Sequence, residues 1–142
     1  MTDMVRTHGL PGLFQTREGT FIRTNDQKLD VLFLESITAI KNGQTKNNYL
    51  KLCSCNSADN GRFSNAQAIA NRYNIRVMGF YGKINKNEAV NARGHNDNHP
   101  IFQPQTNRIS RKISELGNAY FARKSENYII ANKIDLPESF PN

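Results

Sequence analysis

The chain has 142 residues, the length of one ordinary domain with a single core. Its 37% hydrophobic content, with eight Phe and five Tyr, argues against a disordered chain, and no run reaches the roughly 18 apolar residues that a membrane helix needs. Nineteen Lys and Arg against 12 Asp and Glu give a net charge of +7, which indicates either an anionic partner or a surface that is simply basic.

The first half of the chain alternates between strand and helix patterns. Residues 3–9 predict a short strand that ends at His8 and runs into a Gly-Leu-Pro-Gly turn. Residues 24–43 predict a helix, because a capping box opens it at Thr24, apolar residues follow at helical spacing, and Gly43 closes it.

The alternation continues to residue 82. Residues 48–55 predict a strand that ends at Cys55, residues 64–74 a helix with a capping box at Ser64, and residues 75–82 another strand. A β-α-β-α-β order predicts neighbouring parallel strands joined by right-handed crossovers through the two helices.

The pattern changes after Gly82. Residues 83–108 are polar and rich in Asn, which predicts a hairpin or flap, and residues 126–134 predict a last strand. Between them, residues 107–118 predict a short helix whose apolar face consists of Ile109, Ile113 and Leu116. Neither an internal repeat nor a linker divides the sequence, so we expect one domain over residues 1–142.

Two reactive residue types fall at strand ends. In open parallel sheets, ligands and catalytic groups gather at the carboxyl ends of the strands. His8 and Cys55 should therefore lie at the same edge of the sheet. A His followed by Gly, with a Cys at a strand end about 50 residues later, is the order of caspase-type cysteine proteases.

The stretches RTHG and LKLCSCNSADNG resemble the caspase-like fold group, in particular the autoprocessing cysteine protease domains of large bacterial toxins and related secreted effector proteases. The resemblance covers residues 5–108. It implies a caspase-like three-layer α/β sandwich, with a mostly parallel sheet flanked by helices and a C-terminal β-flap or hairpin. Only seven residues precede His8, where that group has a strand and a helix, so we expect a smaller sheet or one that another chain completes.

The chemistry of such a protease assigns a role to each residue. A thiol is largely protonated at neutral pH, so the His8 imidazole must favour the Cys55 thiolate, which attacks the carbonyl carbon of a protein substrate. The backbone N–H groups of Gly9 and Cys55 would form the oxyanion hole. The alternative for Cys55 is a small buried hydrophobe, and this is our interpretation of Cys53.

The resemblance also implies an activator, since proteases of this group are commonly switched on by inositol hexakisphosphate in a basic pocket beside the flap. No cofactor is required for the chemistry itself. The candidate polyphosphate-binding residues are Arg76, Lys83, Lys86, Arg108, Arg111 and Lys112. A second function class stays open, in which a non-catalytic basic module of the same fold binds a polyanion or a protein partner.

Other partners are disfavoured. We expect no metal, because Cys53 and Cys55 are only one residue apart and far from His95 and His99, unlike zinc ligands. Nucleic acid is disfavoured because only the stretch IRVMGFYGK interleaves aromatic with basic residues.

The compartment is inferred from the cysteines and the N-terminus. The thiols of Cys53 and Cys55 are too close in sequence for an easy disulfide, which suits a reducing compartment. The N-terminus has no apolar block after a basic start. Together with the resemblance, these features predict secretion without a cleaved Sec signal and action in a reducing host cytosol; the alternative is the bacterial cytoplasm.

Overall fold

The structure, a computed structural model, describes residues 2–132. The strands are β1 Met4–Arg6, β2 Gly9–Leu10, β3 Leu13–Gln15, β4 Phe21–Arg23, β5 Leu50–Cys53, β6 Val77–Met78 and β7 Ile101–Phe102. The helices are α1 Leu29–Lys41, α2 Asn65–Tyr73, α3 Lys86–Asn91 and α4 Arg108–Asn132, and a 3₁₀ turn at Gly61–Phe63 precedes α2.

The main sheet has the strand order β1-β5-β6-β7. β1 pairs with β5 in parallel, with Val5 opposite Leu52, and β5 pairs with β6 in parallel, with Leu50 opposite Val77. β7 is antiparallel to β6. The prediction of three neighbouring parallel strands is therefore confirmed, and the fold is mixed α/β with a mostly parallel sheet.

Helices cover both faces of this sheet. Because successive side chains on a strand point to opposite faces, Leu50 and Leu52 face one side of β5, and Lys51 and Cys53 face the other. The first side carries the larger core, where β1, β5 and β6 pack against α1 and α2 around Phe33 and Ile69. The second side packs against α3.

The helix boundaries follow the predicted caps only in part. Ser64 caps α2 as predicted, because its hydroxyl accepts a hydrogen bond from the Gln67 amide at 3.1 Å. Gly43 follows α1 with φ +71°, and its amide bonds to the Ile40 carbonyl. The capping box at Thr24 is wrong: α1 begins at Leu29, and the Thr24 hydroxyl lies 2.7 Å from Asn118 Oδ1 on α4.

A second sheet has no counterpart in the sequence-based prediction. β2, β3 and β4 form an antiparallel meander between β1 and α1, with Gly9 opposite Phe14 and Phe14 opposite Ile22. The predicted Gly-Leu-Pro-Gly turn is its first connection, and Gly12 there has φ +82°. A Cβ at Gly12 would collide with the Ala122 backbone of α4, so glycine permits the close approach of this turn to α4.

The prediction fails after β6. In place of a hairpin or flap the chain forms α3 and then returns as the single strand β7. The predicted last strand over residues 126–134 is also wrong, because residues up to Asn132 continue α4; residues 133–134 lie outside the described part of the chain.

The last helix is longer than predicted, since α4 runs to Asn132, and its apolar face of Ile109, Ile113 and Leu116 is turned away from the core. α4 buries Ser114, Asn118 and Ala122, whereas the apolar residues Ile109 and Leu116 are exposed. Within residues 2–132, no helix combines the length and the apolar character that crossing a membrane requires.

Candidate functional site

The segments that follow β1, β5 and β6 meet at the carboxyl edge of the main sheet. The Thr7 amide donates to the Cys53 carbonyl at 3.2 Å, which joins the end of β1 to the end of β5. The Asn56 amide donates to the Gly82 carbonyl at 2.8 Å, and Ala58 to Phe80 at 2.9 Å, which joins the end of β5 to the end of β6. The sheet therefore collects its strand-end residues in one place, as the parallel topology predicts.

His8 and Gly9 run alongside Ser54 and Cys55. A Cβ placed on Gly9 would overlap the Ser54 hydroxyl and lie 3.1 Å from the Cys55 carbonyl oxygen. Since Thr7 also bonds to Cys53, His8 lies between two residues that both contact the segment carrying Cys55. The strands themselves end earlier than predicted, at Arg6 and Cys53, so both candidate residues lie in the loops that follow.

The Gly9 amide is not used by the ladder between β2 and β3. The Gln15 amide donates to the His8 carbonyl at 2.9 Å, which makes Gly9 and Phe14 a non-hydrogen-bonded pair of this antiparallel ladder. An N–H outside the ladder is what an oxyanion hole requires of the residue after the histidine.

The two sulfurs have different environments, and both are free thiols. Cys53 is only 2% exposed and packs with Tyr49, Met78 and Phe80. Burial raises the pKa of the Cys53 thiol, and the nearby Arg6 opposes this only in part. Cys55 is half-buried, and its Sγ lies 3.9 Å from the Ile84 carbonyl oxygen. Cys53 is thus a packed thiol, and Cys55 is the more accessible one.

Sequence reasoning missed a buried hydroxyl beside this pair. Ser54 is 1% exposed, and its Oγ has no hydrogen-bond partner among the described residues. Ser57, three residues on, shows the usual arrangement, because its Oγ donates to the Leu52 carbonyl and accepts from the Phe80 amide. A buried polar atom without a partner is rare in folded proteins. The signal in the sequence was only the small residue before Cys55.

A buried lysine on β5 joins the main sheet to α3. The Lys51 ammonium donates to the Ala89 and Val90 carbonyls, both at 3.2 Å, and so caps the C-terminal end of α3. Lys51 is buried in the described fold, and burial lowers the pKa of its amine. The lysine within the apolar run YLKLC was the available signal, because a charged side chain in a buried strand must find a partner.

The six candidate polyphosphate residues fall into separate groups, and three of them share one pocket. Arg76 precedes β6 and stacks on Tyr49, whereas Lys83 and Lys86 follow the other end of β6. Lys86 is the first residue of α3, the helix that packs against β5. The remaining candidates, Arg108, Arg111 and Lys112, are on α4, where they line an open pocket of about 420 Å³ together with Glu115.

A cavity of about 320 Å³ lies between α4 and the β4–α1 connection, and three arginines line it. Their guanidinium groups already have partners. Arg72 donates to the Thr24 and Asp26 carbonyls, Arg111 to the Gln105 and Asn71 carbonyls, and Arg23 pairs with Glu126 at 2.6 Å. Of the six candidate polyphosphate residues, Arg111 lines this cavity.

The two histidines considered as metal ligands hold the loop before β7. His95 Nδ1 accepts from the Ile101 amide at 2.9 Å, and His99 Nδ1 lies 3.0 Å from the Gly94 carbonyl. In residues 2–132, no cluster of three or more His, Cys, Asp or Glu side chains is arranged to hold a metal ion.

Comparison with known proteins shows the family. The family described as secreted effector protein SteB matches residues 2–134, so the chain belongs to the SteB family of secreted effector proteins. Two relatives named secreted effector protein SteB, from Salmonella typhimurium strains 14028s and LT2, are each 39% identical over 84 residues. The matched segment covers 59% of this chain and 57% of each relative, a little over half their length. No solved structure matches the chain.

Proposed function

We propose that this chain is a secreted effector that works as a cysteine peptidase, with Cys55 as nucleophile and His8 as general base. The observation that supports the proposal is the position of Gly9 against the Cys55 backbone, because it brings the loop after β1 alongside the loop that carries the accessible thiol at the carboxyl edge of the parallel sheet. Family membership supports the effector role, and the caspase-like resemblance of the His-Gly and Cys stretches supports the peptidase chemistry.

The reaction would proceed in two steps. His8 takes the proton of the Cys55 thiol, and the thiolate attacks the carbonyl carbon of the scissile peptide bond. The imidazolium then protonates the leaving amine, and the C–N bond breaks to leave a thioester on Cys55. Water activated by His8 hydrolyses the thioester, which releases the acid product and restores the thiol.

The surrounding residues fit supporting roles in this reaction. The amide of Gly9, which the β2–β3 ladder does not use, would stabilise the oxyanion together with the amide of Cys55. Cys53 takes no part, because burial favours its neutral thiol form. Both cysteines are free, which suits work in a reducing host cytosol after secretion.

The experiment is digestion of a proteome-derived peptide library by the full chain and by three variants, with new termini identified by mass spectrometry. We expect Cys55→Ala and His8→Ala to abolish cleavage and Cys53→Ala to retain it. Absence of cleavage by the parent would overturn the peptidase proposal. Loss of cleavage in Cys53→Ala alone would show that the other sulfur is the nucleophile.

A second candidate function, polyanion binding, is favoured by the arginine-lined cavity beside α4. Arg23, Arg72 and Arg111 already have partners, so a polyphosphate would compete with those partners for the guanidinium groups. Inositol hexakisphosphate at about a hundredfold above its dissociation constant should add about 2.7 kcal/mol to the free energy of unfolding. A thermal melt of the parent and of Arg111→Ala tests this, with sulfate at equal ionic strength as the control for screening.

If inositol hexakisphosphate gives no specific rise in melting temperature, the surplus positive charge of the chain does not form a polyphosphate-binding site. A rise that also enhances library cleavage would identify the polyanion as an activator of the peptidase. A rise without any cleavage by the parent would instead support the non-catalytic binding module.

A further inference from the structure

Helix α4 turns its large apolar side chains towards solvent. Ile109 is 71% exposed, Leu116 60% and Tyr120 56%. The buried side of the same helix is made of small and polar residues: Ser114, Asn118, Ala122 and Ser125. This is the reverse of the usual arrangement for a helix on a globular protein, in which the apolar stripe faces the core. A stripe of this kind on the outside marks a binding surface.

Four of the six large apolar residues that α4 exposes form a narrow line, and the other two, Tyr128 and Ile130, lie beyond the C-terminal end of that line. Ile109, Ile113, Leu116 and Tyr120 are separated by steps of four, three and four residues, and we call them the α4 seam. At about 100° per residue, the seam spans a sector of only about 60° around the helix axis. This is the a/d spacing that one helix presents to another in a coiled coil. Helices that lie on a membrane need a wider apolar face, of about 100° or more.

The rest of the fold fixes the orientation of α4. Asn118 Nδ2 donates to the Phe63 carbonyl at 2.9 Å and to Asn65 Oδ1 at 3.1 Å. The Ser125 hydroxyl donates to the Pro11 carbonyl at 2.7 Å. A Cβ at Gly117 would overlap the Phe63 ring, so the helix packs there at close range. Rotating the seam inwards would break all of these contacts, so the seam stays outside.

The charges beside the α4 seam are mostly positive. Helix α4 carries five Lys and Arg and two Glu. Glu126 is bound to Arg23 at 2.6 Å, whereas Glu115 approaches Lys112 only to 3.9 Å. Lys112, Arg123 and Lys124 lie within about 70° of the centre of the seam, where the flanking charges of a coiled coil are placed.

This charge pattern selects the occupant. Two copies of α4 would bring the same basic flanks together, and like charges across an interface oppose binding. We propose that the α4 seam binds an amphipathic helix of another protein, whose own apolar seam is flanked by Asp and Glu. Ile113 and Leu116, near the middle of the line, are the anchors, and the basic flanks set the choice of partner.

The probe is a synthetic helix of about four heptads with Leu at a and d and Glu at e and g. Its control is the same peptide with Lys at e and g. Fluorescence anisotropy with the full chain should show binding of the Glu peptide that weakens with added salt, and at least about tenfold weaker binding of the Lys peptide.

Matched double variants test the surface itself. Ile109→Ser with Leu116→Ser should weaken the binding of the Glu peptide by at least about tenfold. Val31→Ser with Leu34→Ser on α1 is the matched control, because Val31 is 72% exposed and Ile109 is 71% exposed. This α1 variant should bind the Glu peptide as tightly as the parent does. Circular dichroism and a melt confirm that both proteins fold.

Three results would overturn the proposal. One is failure of the parent to bind the Glu peptide, or equal binding of both peptides. Another is concentration-dependent dimerisation of the parent that the seam variant abolishes, which would make a second copy the occupant. The third is sedimentation with phosphatidylserine vesicles that depends on the seam, which would make the surface a membrane contact.

Discussion

Asn65 at the start of α2 joins three elements through its buried side chain, which is 1% exposed. Its Oδ1 accepts from the Gly12 amide at 2.8 Å and from Asn118 Nδ2 at 3.1 Å. Its Nδ2 donates to the Leu10 carbonyl at 2.9 Å and the Leu13 carbonyl at 3.3 Å. One side chain therefore attaches both the β2–β3 turn and α4 to α2.

Asn65→Ala removes these four hydrogen bonds at once. With a net contribution of about 0.5–1.5 kcal/mol for each bond, and with buried partners left unpaired, we expect a loss of about 3 kcal/mol in the free energy of unfolding. The assay is urea unfolding followed by circular dichroism, extrapolated linearly to zero denaturant. Asn127→Ala, an exposed change on α4, is the control and should alter stability by no more than about 0.5 kcal/mol.

The reasoning would be refuted by a loss below about 1 kcal/mol for Asn65→Ala, because one average hydrogen bond would then account for the whole effect. A large loss in the control as well would show that the effect is not specific to the buried network.

Two further substitutions test a close packing contact and a surface ion pair. Gly9→Ala should destabilise the fold by about 1–3 kcal/mol, because the added methyl group meets the Ser54 hydroxyl. Adding Ser54→Ala should recover part of that loss in a double-mutant cycle measured by urea unfolding. Full additivity of the two changes would contradict the predicted contact. The hydrogen bond from Arg23 lowers the pKa of Glu126. The contribution of this ion pair to the free energy of unfolding is therefore fully present above the ordinary Glu pKa of 4.5, and it is lost as the pH falls through the lowered pKa. Because the two side chains are 37% and 40% exposed, Glu126→Gln should lower the free energy of unfolding by only about 0.2–1 kcal/mol at pH 7. The loss should be smaller at pH 3. An equal loss at both pH values would show that the charge of Glu126 is irrelevant to stability.

The parallel part of the fold was predictable because its signals are local and strong. The strand around Leu52 is a compact apolar run, and the Ser64 cap and the Gly43 stop are side-chain and backbone devices that act within a few residues. The meeting of the segments that follow β1 and β5 then followed from the rule that parallel strands end at one edge.

The parts that were missed depend on tertiary contacts. β2, β3 and β4 have two or three residues each, too few for an alternating pattern to be recognised. The apolar residues of α4 have helical spacing, but its packed face uses Ser114 and Asn118, whose partners lie outside the helix. The β-branched pair at Ile129 and Ile130 suggested a strand, and the long helix overrides that weak preference.

The central claim is that His8 activates Cys55, and the most direct test is the rate of Cys55 alkylation by iodoacetamide at pH 7. Cys53→Ala serves as the background so that one thiol reacts, and His95→Ala in that background is the control for loss of an exposed imidazole. Because the thiolate is the reactive form, we predict that His8→Ala slows alkylation by about tenfold or more while His95→Ala leaves it unchanged. Equal rates in all three proteins would contradict the claim.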